Sequence, residues 1–420
     1  MVSNFPRLFF LTVLGLTSVS FAAFAESPLE GFTKDGKIHA EIRYRYEFVD
    51  QDGPAPVAKE AQASTMRTNL GLESGKYKGF KGLLEVQFVQ HIGADKFNDT
   101  VNGGTNFPVV ADPENQELNQ AWISWDPVPD FEMKLGRQAL NIDNQRFIGT
   151  VDWRQNDQTF DALTLAYTGF EKTSLQYGYL HNINRVFGDD HLLGDLDSDS
   201  HFLNVSRQFS EAITLTGYGY WLSLKNLPAR SSRTFGLRAV GKHPLSDKWH
   251  IAYEAETAHQ TDYKNHPSDY DASYYNAFSA VGGYGWTFGA GYEVLGGDSA
   301  NAFQTPLATL HKFNGWADMF LNTPATGLQD ARVTVGYKVS GTKSPLDGVQ
   351  VAVVYHDFSG EERGDLGREI DFSVGKSFNL PQGTTPFKKM NLLAKFADYK
   401  AEDAPYTDTR KAWLQLGLTF

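Results

Sequence analysis

The 420-residue chain contains no cysteine. In an exported protein that excludes disulfide staples, and it also excludes thiolate metal sites and cysteine nucleophiles. A basic excess is missing too: 38 Lys and Arg stand against 50 Asp and Glu, a net charge of −12. Without a positive patch, nucleic acid is excluded as a partner. Long apolar runs are absent beyond the first, Leu8 to Val19; no later segment approaches the ~20 residues of a membrane helix. That first run follows Arg7 and leads into Ala23-Phe24-Ala25, the small-x-small pattern of a signal-peptidase site. Residues 1–25 are therefore expected to be a secretory signal peptide cut before Glu26, leaving 26–420 as one domain.

What is present is alternation. Ile38, Ala40, Ile42, Tyr44, Tyr46 and Phe48 interleave with Lys37, His39, Glu41, Arg43, Arg45 and Glu47. Period two over twelve residues describes a strand with one apolar and one ionisable face, and a helix would scatter both sets. A lipid-facing wall around a watery lumen accounts for both faces at once. The chain ends the same way: Ala412, Leu414, Leu416, Leu418 and Phe420 share one face up to the last residue. Chain ends usually fray, so a hydrophobic terminal strand implies one whose backbone edges are both paired, as in a closed barrel. Aromatics reach 14% with 39 Gly, and Tyr and Trp suit the membrane–water boundary.

About eighteen such segments recur, from 37–48 to 410–420, most of them near the ~9–11 residues that a tilted membrane strand needs. The expected connections alternate in length. Short links lie around 76–78, 126–130, 169–171 and 209–211; long ones lie at 49–65, 92–115, 140–157 and 184–199, and the longest, 297–330, follows strand thirteen. This predicts an all-β transmembrane antiparallel barrel with short periplasmic turns and long extracellular loops. About eighteen strands leave room for an aqueous channel.

Residues 135–138 read LGRQ, 143–149 DNQRFIG, 153–156 WRQN, 158–162 QTFDA and 304–318 QTPLATLHKFNGWAD. In these segments the chain resembles the alginate-export family of bacterial outer-membrane barrels. The resemblance implies a monomeric, porin-like barrel of roughly eighteen strands that passes anionic sugars or polysaccharide by diffusion through an arginine-rich pore. Its implied partners are outer-membrane lipid and lipopolysaccharide, the barrel-assembly machinery, and an anionic carbohydrate or small solute; no cofactor is implied. Carried over residue by residue, it marks Arg137, Arg146 and Arg154 as candidate anion contacts, oriented by neighbours such as Asp143, Asp152, Asp157 and Asp161. A guanidinium stays charged and grips carboxylate bidentately. The same residues would equally serve as Arg–Asp pins for a loop. Arg137 shares parity with Phe131, Met133 and Leu135, so a bulge or a place beyond the membrane is needed for it to face the pore.

Arg43 and Arg45 join the candidates from the ionisable face of the first strand. Glu41, Glu47, Glu254, Glu256, Glu369 and Asp371 fall on inward faces too, which predicts a lumen of mixed charge. His311 and Asp318, seven apart in the longest loop, are read as parts of a pore-narrowing plug. Asp195, Asp197 and Asp199 have the oxygen spacing of a calcium loop but lack its downstream Glu, so a solvated outer loop is the better reading. Catalysis is not expected, since the eleven His are scattered and no Ser/His arrangement stands out. Two alternatives remain open: a porin for other small solutes, and a plugged barrel acting as a scaffold or adhesin.

Overall fold

A computed structural model describes residues 34–53, 58–361, 364–381, 383 and 385–420. The expected signal peptide lies outside these residues. The described chain forms an eighteen-stranded antiparallel sheet closed on itself: β1 (Lys37–Gln51) pairs with both β2 (Glu60–Glu73) and β18 (Thr409–Thr419). Closure matters because hydrocarbon offers no partner for a free N–H or C=O, so an open sheet edge cannot cross a membrane.

Between them run β3 (Phe80–Lys96), β4 (Asn115–Trp125), β5 (Phe131–Gln138), β6 (Thr159–Tyr167), β7 (Thr173–Asn184), β8 (Asp195–Ser210), β9 (Ile213–Leu222), β10 (Ser232–Pro244) and β11 (Trp249–Asp262). The circuit continues with β12 (Asp271–Gly283), β13 (Trp286–Leu295), β14 (Leu328–Lys338), β15 (Gln350–Ser359), β16 (Asp365–Asn379) and β17 (Lys389–Ala401), each beside its sequence neighbour.

Register carries the hydrophobic pattern around the wall. Tyr46 lies opposite Leu414, Tyr44 opposite Leu416 and Ile42 opposite Leu418, so the terminal ladder continues the lipid face of β1. The Phe420 amide donates to the Ala40 carbonyl at 2.9 Å, which ties down the last residue. Parity decides burial within single strands. In β8, Leu196 is fully buried while Leu203, of opposite parity, is 40% exposed.

The connections alternate as expected as far as the long loop 296–327, then depart. The turns 339–349 and 380–388 are longer than the opposite-side links 360–364 and 402–408. The alternation is thus a property of the first fourteen strands. Several strands also outrun their hydrophobic stretch on the long-loop side: β2 begins at Glu60, β3 reaches Lys96 and β8 starts at Asp195. Asp195, Asp197 and Asp199 therefore lie in a strand, not in an outer loop. They point away from buried Leu196, Ser198 and Ser200.

The core lies inside the barrel. Loops 139–158 and 296–327 fold inward and pack Phe147, Ile148, Phe303, Leu307 and Phe320 against wall residues such as Phe160, Tyr218, Tyr274 and Phe358. Phe147 meets Tyr218 and Tyr220 with centroids 5.1 Å apart, and Phe303 at 6.1 Å. The two loops are joined by a parallel bridge between Ile148 and Leu307. Gly149 permits their close approach, since a Cβ there would lie 2.3 Å from Thr309 Oγ1. Gly315 does the same against the wall: its φ is +84°, and a Cβ would lie 2.4 Å from Glu369 Oε2.

Candidate transport constriction

The loops are anchored first on the arc formed by β17, β18, β1 and β2. Arg43 Nε donates to Gln155 Oε1 at 3.0 Å and Nη1 to the Asp152 carbonyl at 2.6 Å, and Nη2 donates to the Arg154 carbonyl. Arg45, fully buried, donates to Gln415 at 2.7 Å, stacks 4.0 Å from the Trp153 ring and lies 3.9 Å from Asp112. Arg67 bridges Glu41 at 2.8 Å and Asp157 at 2.7 Å.

Arg154 sits among Glu47 at 3.4 Å, Asp112 at 3.7 Å and Asp318 at 3.9 Å. Burial alone would weaken its charged form. The three carboxylates outweigh that and hold its pKa above the usual guanidinium range.

His311 and Asp318 complete this junction. His311 Nδ1 lies 2.8 Å from Asp318 Oδ1, its Nε2 lies 2.7 Å from Lys395 Nζ, and its ring stacks 4.2 Å from Trp153. An ammonium can only donate, so Nε2 accepts and the proton sits on Nδ1, facing the carboxylate. Burial pushes the His311 pKa down to about 3, outweighing the pull of Asp318. The Lys395 ammonium also lies 3.7 Å from the Trp316 ring, and Lys411 binds Asp318 at 3.2 Å.

On the adjoining arc, β13 to β16, whose last strand pairs with β17, the wall presents buried Glu293, Asp330, Glu369 and Asp371. Arg146 donates from Nε and Nη2 to the two oxygens of Glu293 at 3.0 and 3.3 Å, and to Asn314 at 3.1 Å. Burial opposes the Arg146 charge, but Glu293 more than restores it, and the pKa is raised. Glu369 and Asp371 accept the amides of Ala317 at 2.7 Å and Trp316 at 3.3 Å. His356 lies 2.8 Å from Asp330.

The structure thus brings Arg43, Arg45, Arg154, His311 and Asp318 together in one cluster and places Arg146 against Glu293 on the adjoining arc. Each of these arginines is engaged by protein groups, the geometry of a loop pin. Arg137 and Asp161 belong to neither junction. Arg137 binds Asp161 at 2.8 and 3.2 Å, and the row Arg137, Asp161, Asn182, Asp197 runs along the outer face of β5 to β8. Strand alternation leaves Arg137 on the side of exposed Leu135, so the expectation that it turns into the pore is not met.

Asp197 and Asp199 pair with Lys225 and Lys264, and Asp195 accepts from Asn182. Among the described residues, no group of three or more His, Asp or Glu has metal-binding geometry. Sequence reasoning missed Lys395, Lys411, Asp112 and Trp413, whose ring centroid lies 5.8 Å from that of Trp153 and 5.7 Å from that of His311. Lys395 and Trp413 were findable, since their parity sets them on the inward side of two lipid-facing ladders; Asp112 lies in a loop without periodicity.

A closed eighteen-stranded wall, lipid-facing outside and crossed inside by two loops, defines an outer-membrane channel of the porin class. Among solved structures, Pseudomonas aeruginosa OpdK, determined with vanillate, superposes with a TM-score of 0.72 at 15% identity, covering 93% of this chain and 100% of that one. Acinetobacter baumannii OccAB2 gives 0.73 at 17%, with 93% and 99% covered, and Pseudomonas aeruginosa OccK9 (OpdG) gives 0.70 at 16%, with 93% and 100%. Such identities establish the shared fold. Residues 36–366 match the alginate export family, and the chain belongs to it. No curated protein matches the sequence.

Proposed function

We propose that this channel passes small organic anions, such as sugar acids or aromatic acids, by diffusion, and that it does not pass a polymer. The observation that carries this reading is the double anchoring of loops 139–158 and 296–327. Pinned to both arcs and to each other through Ile148 and Leu307, they narrow a barrel that eighteen strands would otherwise leave wide. Membership of a family named for export of an anionic polymer supports the sign of the solute.

Reversal potentials across planar bilayers, together with liposome swelling by solutes of graded size, test it. Anion preference with a cutoff near a monosaccharide acid is expected. Cation preference, or equal passage of oligosaccharides, overturns it. The barrel is further proposed to work as a monomer in outer-membrane lipid and lipopolysaccharide, inserted by the barrel-assembly machinery through its Phe420-ended strand. Removal of residues 1–25 belongs to the same proposal and is checked by the mass of the mature protein.

A further inference from the structure

The turn 339–349, one of the two that break the short-turn pattern at the periplasmic rim, reaches the outer face of the wall. Along β16, Ile370, Phe372 and Val374 face lipid, and Lys376 keeps their parity, so its side chain leaves the wall on the lipid side. Its ammonium donates to the Pro345 carbonyl of the turn and lies 4.6 Å from the Phe378 ring centroid. Nearer the periplasm, Lys388 pairs through its backbone with Leu380 and holds its ammonium 5.3 Å from the Phe420 ring. Neither lysine forms an ion pair with a described carboxylate, and residues 372–397 contain no acid at all. At the β2–β4 end of the same rim the cations are matched: Lys81 pairs with Glu73 at 2.9 Å, and Lys76 pairs with Asp126.

Beside Lys376 the lipid face is grooved. Val349, Val374, Leu392, Leu414, Leu416 and Tyr44 line a groove of about 530 Å³ that crosses β16, β17, β18 and β1, with Lys376 at its edge. In register, Lys376 lies opposite Leu392, Leu392 opposite Leu416, and Leu416 opposite Tyr44. The lysine therefore ends a row that runs across the seam where the first and last strands close the barrel. Any lipid-facing wall is wetted by acyl chains, but a groove ending at a cation holds one chain together with its headgroup. The Pro345 carbonyl takes one of the three ammonium donors and leaves two for a phosphate. A cation on a lipid face is tolerated best at the interface, where such headgroups lie.

We propose that this groove binds one anionic phospholipid of the periplasmic leaflet, with an acyl chain laid across the seam from Val374 to Tyr44 and the phosphate on Lys376. Lys388 is a second contact for the headgroup. Depth selects the leaflet: Lys376 stands three residues before the periplasmic end of β16, away from the rim that lipopolysaccharide covers. The length of the turn 339–349 then has a purpose, since Pro345 sets the ammonium and Val349 closes the groove. The inference is independent of which solute passes through the lumen.

Native mass spectrometry tests it on the full-length barrel, delipidated in detergent and titrated with phosphatidylglycerol or phosphatidylcholine. The parent should retain one phosphatidylglycerol well above the level of phosphatidylcholine. Lys376→Gln should weaken phosphatidylglycerol binding about fivefold, the value of one lysine at an anionic surface, and Lys376→Arg should keep it. Ala394→Phe leaves the cation in place and fills the groove that Ala394 helps to line, so it should weaken binding as well. Arg207→Gln is the control: Arg207 lies over Phe209 on the outer face near the same edge, outside the groove, and its loss should change nothing. Heat modifiability on gels and conductance in KCl verify that each variant is a folded barrel. Equal retention of the two lipids by the parent overturns the proposal, as does unchanged phosphatidylglycerol binding in Lys376→Gln. Unchanged binding in Ala394→Phe overturns it too, for the headgroup would then bind without the groove. A loss in Arg207→Gln equal to that in Lys376→Gln would assign the effect to the charge of the whole rim and equally sink the site.

Discussion

The two junctions that hold the inserted loops are built with opposite chemistry. On the β17–β2 arc, Arg43 donates to the carbonyls of Asp152 and Arg154, and Lys411 with Arg154 surrounds Asp318. On the β13–β16 arc, Glu369 and Asp371 accept the amides of Ala317 and Trp316, and Glu293 accepts Arg146. A loop pushed into a lumen carries both unpaired carbonyls and unpaired amides, and each buried one left alone costs ~1–3 kcal/mol. The wall answers with donors on one arc and acceptors on the arc beside it. The charge separation along the wall is therefore a consequence of holding the loops.

The comparison breaks most visibly at Arg45. Arg45→Ala leaves Asp112 and Glu47 buried with one cation fewer, and loss of one partner of a buried pair costs ~3–5 kcal/mol. Release of loop 139–158 should appear as a larger, noisier conductance and as protease cleavage within the loop, while the barrel stays folded. Glu293→Gln on the acidic arc should cost a similar ~3–5 kcal/mol, since it leaves buried Arg146 without its carboxylate and turns an amide NH2 toward donors that both Glu293 oxygens now accept. Thermal unfolding followed by loop proteolysis measures both.

Because the loops are bridged, the combined Arg45→Ala/Glu293→Gln variant should depart from additivity in the same assay. Additive costs would mean that the two junctions act separately. Gly149→Ala, which strikes the bridge itself, should cost ~1–3 kcal/mol by overpacking against Thr309 and should loosen both junctions together.

The mildest perturbation is pH. His311 has a folded pKa of about 3, below its unfolded value of 6.5, so acid favours the unfolded form. Its contribution is intact above about pH 6.5 and is lost progressively as pH falls toward 3. Asp318 is held below the usual carboxylate range, its burial outweighed by His311 and Lys411. It therefore loses stabilisation in the same direction, below about pH 4. Loop cleavage should thus rise from pH 7 to pH 5 in the parent protein and much less in His311→Gln. An equal rise in both would place the sensitivity elsewhere.

All eighteen strands were legible as alternating segments, because lipid imposes one apolar face on every membrane crossing. The strand extensions beyond lipid were not: at Asp195, Asp197 and Asp199 the outward face meets water, and polar residues on both sides erase the period-two signal. The loops' importance was legible too, from LGRQ, DNQRFIG and the 304–318 segment, and two of their glycines now have steric reasons. Parity correctly warned that Arg137 sits on the Leu135 side, and the structure leaves it there.

The sequence by itself determined the closed lipid-facing wall, since each strand's pattern is local and the bilayer enforces it strand by strand. Only the tertiary structure decided which charges meet inside. Arg45 and Asp112 are far apart in the chain, Arg146 reaches Glu293 across 147 residues, and Lys395 finds its partner on a loop. Barrel curvature, the inward folding of two loops and the link 97–114 that carries Asp112 create those neighbours, and no period in a single strand encodes them.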